Sequence, residues 1–339
     1  MAGGEVDMSG LQQVGDGVWA FVRTPGGWGE ANTGLVVAPG TASLVVDTAW
    51  DVAWAQRIAE AQAPLVADAP ITDAVNTHSD GDHWWGNDTL PPDARITTSA
   101  AALDGMREDL PPRALTVLAG TGSRIRRVPG PVGAAGAYMA RVRGGARFPR
   151  RTPRMPDTTF ATATSLDIGG RTIELEQLGP CHTAGDLVVR VADAGVVFTG
   201  DLLFIGSTPI LWHGPLDNWL SALDRLLGWD AAVYVPGHGP TCGAAEIRAL
   251  RDYWLWLRDA AHDHHRAGLT PLETARKLVR TRDFDAWRNW ESPERIALSL
   301  STLFDQWNGN PPAPPTITRR AAAFIAAETL LREGAFEAA

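Results

Sequence analysis

At 339 residues the chain is long enough for one large domain with an extension or for two domains, and its 45% hydrophobic content can build a sizeable core. A formal net charge of −9 excludes a general nucleic-acid binder, whose phosphate contacts need a positive face. Two cysteines exclude a disulfide scaffold, and no apolar run reaches the roughly 20 residues that a membrane-spanning helix needs. Residues 1–13 carry no Lys or Arg and no apolar centre, so no secretory signal is expected and the protein is expected in the cytoplasm, without a membrane partner.

In chain order, residues 14–22 and 33–37 alternate or run apolar with glycine between them, and 43–47 follows, which predicts an opening β-meander. The connecting tip Thr24-Pro25-Gly26-Gly27-Trp28-Gly29-Glu30 is flexible by composition. Asp51 is placed to cap a helix through about Ala61, with Val52, Ile58 and Ala59 turned inward. A strand pattern over 71–75 then runs into Asn76-Thr77-His78-Ser79-Asp80-Gly81-Asp82-His83-Trp84-Trp85-Gly86-Asn87, and 99–110 reads as a helix. From 111 to 156 the pattern dissolves into a segment rich in Pro, Gly and Arg, expected to be a long loop. Its cluster of Arg141, Arg143, Arg147, Arg150, Arg151 and Arg154 reads either as a solvated face or as a clamp for a carboxylate, a coenzyme A phosphate or an acidic carrier protein.

Strand patterns return near 161. Asp217 is expected to cap an amphipathic helix through about Leu227. Residues 244–267 read as a long helix with Leu250, Trp254 and Leu257 on one face, and His262, His264 and His265 at its end read as a solvated face. Beyond Gly268 the pattern is helical, with Pro271 in a first turn, a helix over 296–307, a stiff Pro311-Pro312-Ala313-Pro314-Pro315 spacer and a last helix over 319–332. Such a tail holds little core alone, so it is expected to dock on its own domain or on a second copy, as a homodimer.

Two imidazoles and two carboxylates at 78–83 suit a divalent metal, although histidine and aspartate also populate solvated turns. The same plan, a short apolar strand ending in a polar group beside glycine, recurs three times. Residues 172–178 run into Cys181-His182, 195–199 into Gly200-Asp201, and 231–235 into Pro236-Gly237-His238-Gly239. In layered α/β folds strand ends are where loops converge on a site. The ordered set resembles the metallo-β-lactamase-fold hydrolase superfamily, which carries a His-x-His-x-Asp-His loop, then a lone His, a bridging Asp and a last His.

That resemblance implies a four-layer αββα sandwich of α/β class over 1–245, with a helical C-terminal extension over 246–339. It implies that His78, Asp80 and His182 hold the first of two divalent ions, that Asp82, His83 and His238 hold the second, and that Asp201 bridges. Asp47, at a strand end, is placed beside these ligands. One position departs from the family pattern: its second histidine is Asp80 here. Three carboxylates and a hydroxide would neutralise two divalent ions, making the first a weaker Lewis acid, and the shorter aspartate would suit a harder ion. Zinc is the expected metal, with manganese or iron as alternatives.

The chemistry implied is hydrolysis of an activated acyl bond by a metal-held hydroxide, with Asp82 orienting the nucleophile and delivering a proton and Asp201 as the second catalytic carboxylate. In the family the hairpin equivalent to 24–30 overhangs the metals, so Trp28 is a candidate substrate contact, with Trp85, Trp212 and His213. The form His-x-Asx-Gly-Asp-His with a following aromatic, Gly and Asn, together with Gly214-Pro215-Leu216-Asp217-Asn218-Trp219, also resembles actinomycete cyclase and thioesterase enzymes of aromatic polyketide synthesis. The expected substrate is therefore a small acyl compound as thioester, lactone or ester, linked in one version to coenzyme A or an acyl carrier protein. The alternatives are an iron-dependent redox enzyme of the same fold, a β-lactamase-like amide hydrolase and a non-catalytic binding protein.

Overall fold

The computed structural model describes residues 10–336, so most of the 1–13 segment read as lacking an export signal lies outside the described residues. Strands β1 (Gly10–Gly15), β2 (Val18–Val22), β3 (Thr33–Ala38) and β4 (Ala42–Val46) pair as the antiparallel meander. The single apolar run at 14–22 is thus two strands, broken at Gly17, whose backbone is left-handed. β5 (Ile71–Val75), β6 (Arg95–Ser99) and β7 (Thr158–Phe160) continue in parallel, completing a seven-stranded sheet in sequence order. β8 (Ala163–Ile168), β9 (Arg171–Gln177), β10 (Leu187–Val191), β11 (Val196–Phe204) and β12 (Val233–His238) form the second sheet, antiparallel except for the β11–β12 pair.

Side chains on a strand alternate between faces, and here both faces of the inner strands are apolar. Val36 and Val46 point between the sheets and meet Leu187, Val189, Val196 and Phe198. Their neighbours Leu35, Val37 and Val45 form the outer layer of the first sheet with Ala74, Leu90 and Ile96. Val188 and Val197 face outward from the second sheet into a cluster with Trp219 and Trp254. Helices α1 (Val52–Gln62), α2 (Gly81–Trp84) and α3 (Ala100–Glu108) follow the strands of the first sheet. Asp51 caps α1 by accepting from Trp54 N, and Ile58 is buried as expected, but Val52 is 51% exposed because the inward side falls on Ala55 and Ile58.

The segment 111–156 departs most from expectation, for it folds largely as two helices, α4 (Pro112–Ile125) and α5 (Pro131–Arg143). Proline stands at the first turn of each, where a missing N–H costs nothing. The glycines that read as loop are the crossing point: a Cβ on Gly122 would meet Gly136 O at 2.8 Å, and one on Gly136 would meet Ile125 Cγ1 at 2.6 Å. Of the arginine cluster, Arg154 is tied to the carbonyls of Pro91, Pro92 and Ala94, Arg143 bonds Ala146 O, and Arg141 lies 3.9 Å from Glu328, while Arg147, Arg150 and Arg151 are exposed.

α6 (Leu216–Trp229) starts with Pro215, not Asp217, at its cap, since Asp217 already lies in the first turn. α7 (Ala244–Arg266) buries Leu250, Trp254 and Leu257. At its end His262 is exposed, but His265 packs on Phe304 and Trp307 and bonds Asn308, so the trio is only partly a solvated face. α8 (Pro271–Leu278), α9 (Ile296–Trp307) and α10 (Ile317–Arg332) follow, and α10 packs against both α9 and α5. The two sheets with helices on both sides form the expected αββα sandwich, and the C-terminal helices dock on this same chain beside the insert. No described helix is long and apolar enough to cross a membrane.

Candidate metal centre

The donors are delivered by strand ends and held from behind. His78 follows β5, and Asp80 precedes the single turn of α2, which presents Asp82 and His83 on adjacent positions. His182 lies in a tight turn fixed by Asp186, whose carboxylate accepts from Cys181 N, Thr183 N and Thr183 Oγ1. Asp201 and His238 lie within β11 and at the end of β12, so both strands run further than their apolar patterns suggested. Gly237 is required here, because a Cβ at that position would stand 1.9 Å from Asp201 Oδ1.

All seven donors converge. Asp201 Oδ2 lies 3.3 Å from His182 Nε2, 3.4 Å from His238 Nε2 and 3.8 Å from His78 Nε2, and its Oδ1 lies 3.1 Å from His83 Nε2. Asp80 Oδ2 is 3.1 Å from His182 Nε2, and Asp82 Oδ2 is 3.5 Å from His238 Nε2. Three groupings have ligand atoms within 4.8 Å of one another: His78, Asp80 and His182; Asp82, His83 and His238; and His78, His83 and Asp201.

The imidazoles are oriented from the rear. Asp47, in a left-handed backbone conformation (φ 59°), accepts from Thr77 N and Thr77 Oγ1 at 2.7 Å each and lies 2.8 Å from His83 Nδ1. Thr77 Oγ1 is 3.0 Å from His78 Nδ1, so one carboxylate steadies two rings, one of them through a hydroxyl. His182 Nδ1 lies 2.6 Å from Ile210 O. Protons on these Nδ1 atoms leave the Nε2 lone pairs facing the centre, as metal-bound histidines require. Asp47 was legible as a neighbour of the ligands, whereas Thr77 and the Ile210 carbonyl were not, for nothing in their sequence context separates them from ordinary strand and loop residues.

The donor chemistry fits divalent ions. His78 Nε2, His83 Nε2 and Asp201 Oδ1 are buried without hydrogen-bond partners, an arrangement that costs free energy unless another group satisfies them. His83 Nε2 and Asp201 Oδ1 approach to 3.1 Å without hydrogen-bond geometry, so they are aimed at a common point and not at each other. Burial, then the neighbouring His83, drives the His78 imidazole down to about 4. Burial alone would raise the Asp80 carboxyl, but the His182 hydrogen bond and charge hold it down to about 2. Burial disfavours a charged His182, yet Asp80 and Asp201 push it up to about 9.

The expected substrate residues take different places. Trp85 is buried against Trp50 and Phe148, behind the α2 turn. Trp28 packs edge-on to Tyr138 of α5 and Phe324 of α10, beneath the Arg295 guanidinium. Trp212 donates its backbone N–H to His182 O and also touches Phe324, and His213 N donates to the same carbonyl. The structure thus brings Trp212 and His213 against the His182 ligand loop and puts Trp28 in the wall formed by the insert and the last helix.

The two sheets, the convergence of strand ends and the ordered His/Asp set define a family. The sequence pattern of the metallo-beta-lactamase superfamily matches residues 26–238, well over half of the chain, and the chain belongs to that superfamily. It is 30% identical over 109 residues to the 2,4-dinitroanisole O-demethylase subunit alpha of Nocardioides sp. (strain JS1661), covering 31% of this chain and 32% of that protein. It is 31% identical over 117 residues to the hydroxyacylglutathione hydrolase of Roseobacter denitrificans (strain ATCC 33942 / OCh 114), covering 34% and 45%. The matched stretch spans less than half the length of either relative. The stereoselective inverting sec-alkylsulfatase Pisa1 from Pseudomonas sp. shares the fold, with a TM-score of 0.63 at 17% identity over 89% of this chain and 50% of that one. Proteins of this fold typically bind two divalent metals, and the His/Asp cluster here could hold them.

Proposed function

We propose that the protein is a metal-dependent hydrolase of activated acyl bonds, a thioester first, a lactone or ester next. The carrying observation is that His78 Nε2, His83 Nε2 and Asp201 Oδ1 are buried in one cluster with no hydrogen-bond partner among the described residues. In this reading His78, Asp80 and His182 hold one ion, Asp82, His83 and His238 hold the other, and Asp201 is common to both. Zinc is the first choice, with manganese or iron favoured if the Asp80 carboxylate sets the preference. The bound ions would supply Lewis acidity and a hydroxide at neutral pH.

The protein's own groups do the positioning. Asp47 fixes the His83 ring directly and the His78 ring through Thr77, so that neither turns when a substrate enters. Asp82 is the carboxylate we assign to orient the attacking oxygen and to return a proton to the leaving group from its Oδ2. Asp80, the most exposed of the seven with 30% of its side chain in solvent, marks the side from which substrate and water arrive. The relative that hydrolyses hydroxyacylglutathione supports thioester cleavage as the first substrate to try. The narrower reading, a cyclase or thioesterase in aromatic polyketide synthesis, rests on the form of the 78–87 ligand loop and the 214–219 segment, with the tryptophans and the arginine cluster consistent with it.

A panel of acyl-coenzyme A, carrier-linked and aryl thioesters, lactones and a chromogenic cephalosporin, each run with zinc, manganese and iron, tests this. Thioester turnover lost on chelation and restored by metal is the expected result. Oxygen consumption by a coloured, iron-loaded protein would replace it with the redox reading, and tight binding without turnover under every metal with the non-catalytic one.

A further inference from the structure

Among the described residues the donor cluster is most open at Asp80. His78, His83, His182, Asp201 and His238 each expose 4% or less of their side chains, Asp82 12% and Asp80 30%. A substrate therefore passes over Asp80, and the residues around that edge decide what is admitted. On one side runs α3, so close to the ligand loop that a Cβ on Gly105 would stand 2.9 Å from Ser79 Cβ. It ends at Asp109, whose backbone N–H closes the helix on Gly105 O. On the other side stands α10, whose Arg320 places its guanidinium carbon 5.3 Å from the ring centroid of Trp212, the residue bonded through its backbone to His182.

Arg320 joins α10 to the end of α3 by pairing with Asp109, with Nη1 3.3 Å from Oδ1. As a strut the contact is weak. It is a single long hydrogen bond between side chains about a third exposed, and such pairs contribute little to stability. The same guanidinium leaves its Nε buried with no hydrogen-bond partner among the described residues. A fork of donors stacked on an indole, under-used and beside the most open side of the centre, suits a planar anion far better than it suits Asp109.

We propose that Arg320 and Trp212 form a subsite for a carboxylate or other anionic substituent of the substrate, with Asp109 as the internal anion that the substrate's group displaces. The subsite rests on the hydrolase reading for its substrate but not for its ligand. It selects an acyl compound that carries a negative charge a few bonds from the scissile carbonyl, and it gives the helical extension a direct part in specificity.

The test compares glutaryl and valeryl thioesters of N-acetylcysteamine, alike except for the terminal carboxylate, with glutaryl- and valeryl-coenzyme A as a second pair. With Arg320→Ala, KM for the glutaryl compound rises about tenfold or more while the valeryl compound shifts less than about twofold. Arg320→Lys recovers part of the loss, and Asp109→Asn lowers KM for the glutaryl compound by freeing the guanidinium. If Arg320→Ala weakens valeryl- and glutaryl-coenzyme A alike while leaving both N-acetylcysteamine compounds unchanged, the anion read is the leaving group's phosphate and the acyl carboxylate assignment is wrong. Calorimetric binding of non-hydrolysable thioether analogues of the same pair separates this inference from the hydrolase reading. No turnover with Arg320-dependent binding of the glutaryl thioether overturns only the hydrolase reading. Equal affinity of wild type and Arg320→Ala, both shown folded by thermal melting, overturns the subsite.

Discussion

The two halves of the donor cluster are built to different standards. Around His83 and His78 the support is deep and redundant: Asp47 accepts two hydrogen bonds from Thr77, abuts His83 and is itself buried. Around Asp80 it is thin, for among the described residues this carboxylate's side-chain hydrogen bond is to His182, and 30% of the side chain faces solvent. The difference teaches where a metal centre can change without losing the fold. A ligand buried in the strand-end framework is also a packing residue, whereas one on the open edge can be exchanged for another donor and retune the ion beneath it.

The sharpest way to break the comparison is at the shared carboxylate. Asp201→Ala should abolish stable metal binding and lower activity by more than about a thousandfold, measured by steady-state kinetics beside metal content. Removing the support should cost less. Asp47→Ala leaves every donor in place but frees two rings, so metal affinity is expected to fall about 10- to 100-fold in a chelator competition, with the expressed protein still folded. An unchanged affinity would mean that the deep half is not held from behind as described.

Proton linkage comes next. In the metal-free protein His182 is raised to about 9 against an ordinary 6.5, largely by Asp80 and Asp201 acting against burial. Its contribution to stability is therefore fully present below about pH 6.5 and is lost as pH rises through 9, about 3 kcal/mol at most. The apo protein should melt at lower temperature at pH 9 than at pH 6.5. Over the same window metal affinity should rise, about tenfold per pH unit while one proton is displaced. An apo melting temperature that climbs across this range would contradict the His182–Asp80 pairing. The smallest effect is expected at the edge itself. Asp80→His should tighten binding of the first ion in a chelator competition and change activity only a few-fold; equal affinity in both proteins would show that the edge position does not tune the ion.

How much of this was legible in the chain follows from the chemistry of each part. The seven candidate donors could be named because the order of four strand-end motifs resembles one family, whereas each motif alone could equally have been a solvated turn. The α4–α5 insert could not, because Gly122 and Gly136 look like loop residues until the two helices cross at them. The Arg320–Asp109 contact joins positions 211 residues apart with no motif at either end, so only folding reveals it. Tryptophan was ambiguous throughout: Trp28, Trp85 and Trp212 read alike as aromatic contacts, yet one packs in the helical wall, one behind the ligand turn and one at the open edge.

The most direct measurement is the number of divalent ions per chain, by elemental analysis of the purified protein after exposure to zinc and removal of loosely held metal, with Asp201→Ala alongside. The expected result is close to two ions in the wild type and a large loss in the variant. Equal metal content in the two proteins, or none in either, would contradict a centre organised around Asp201.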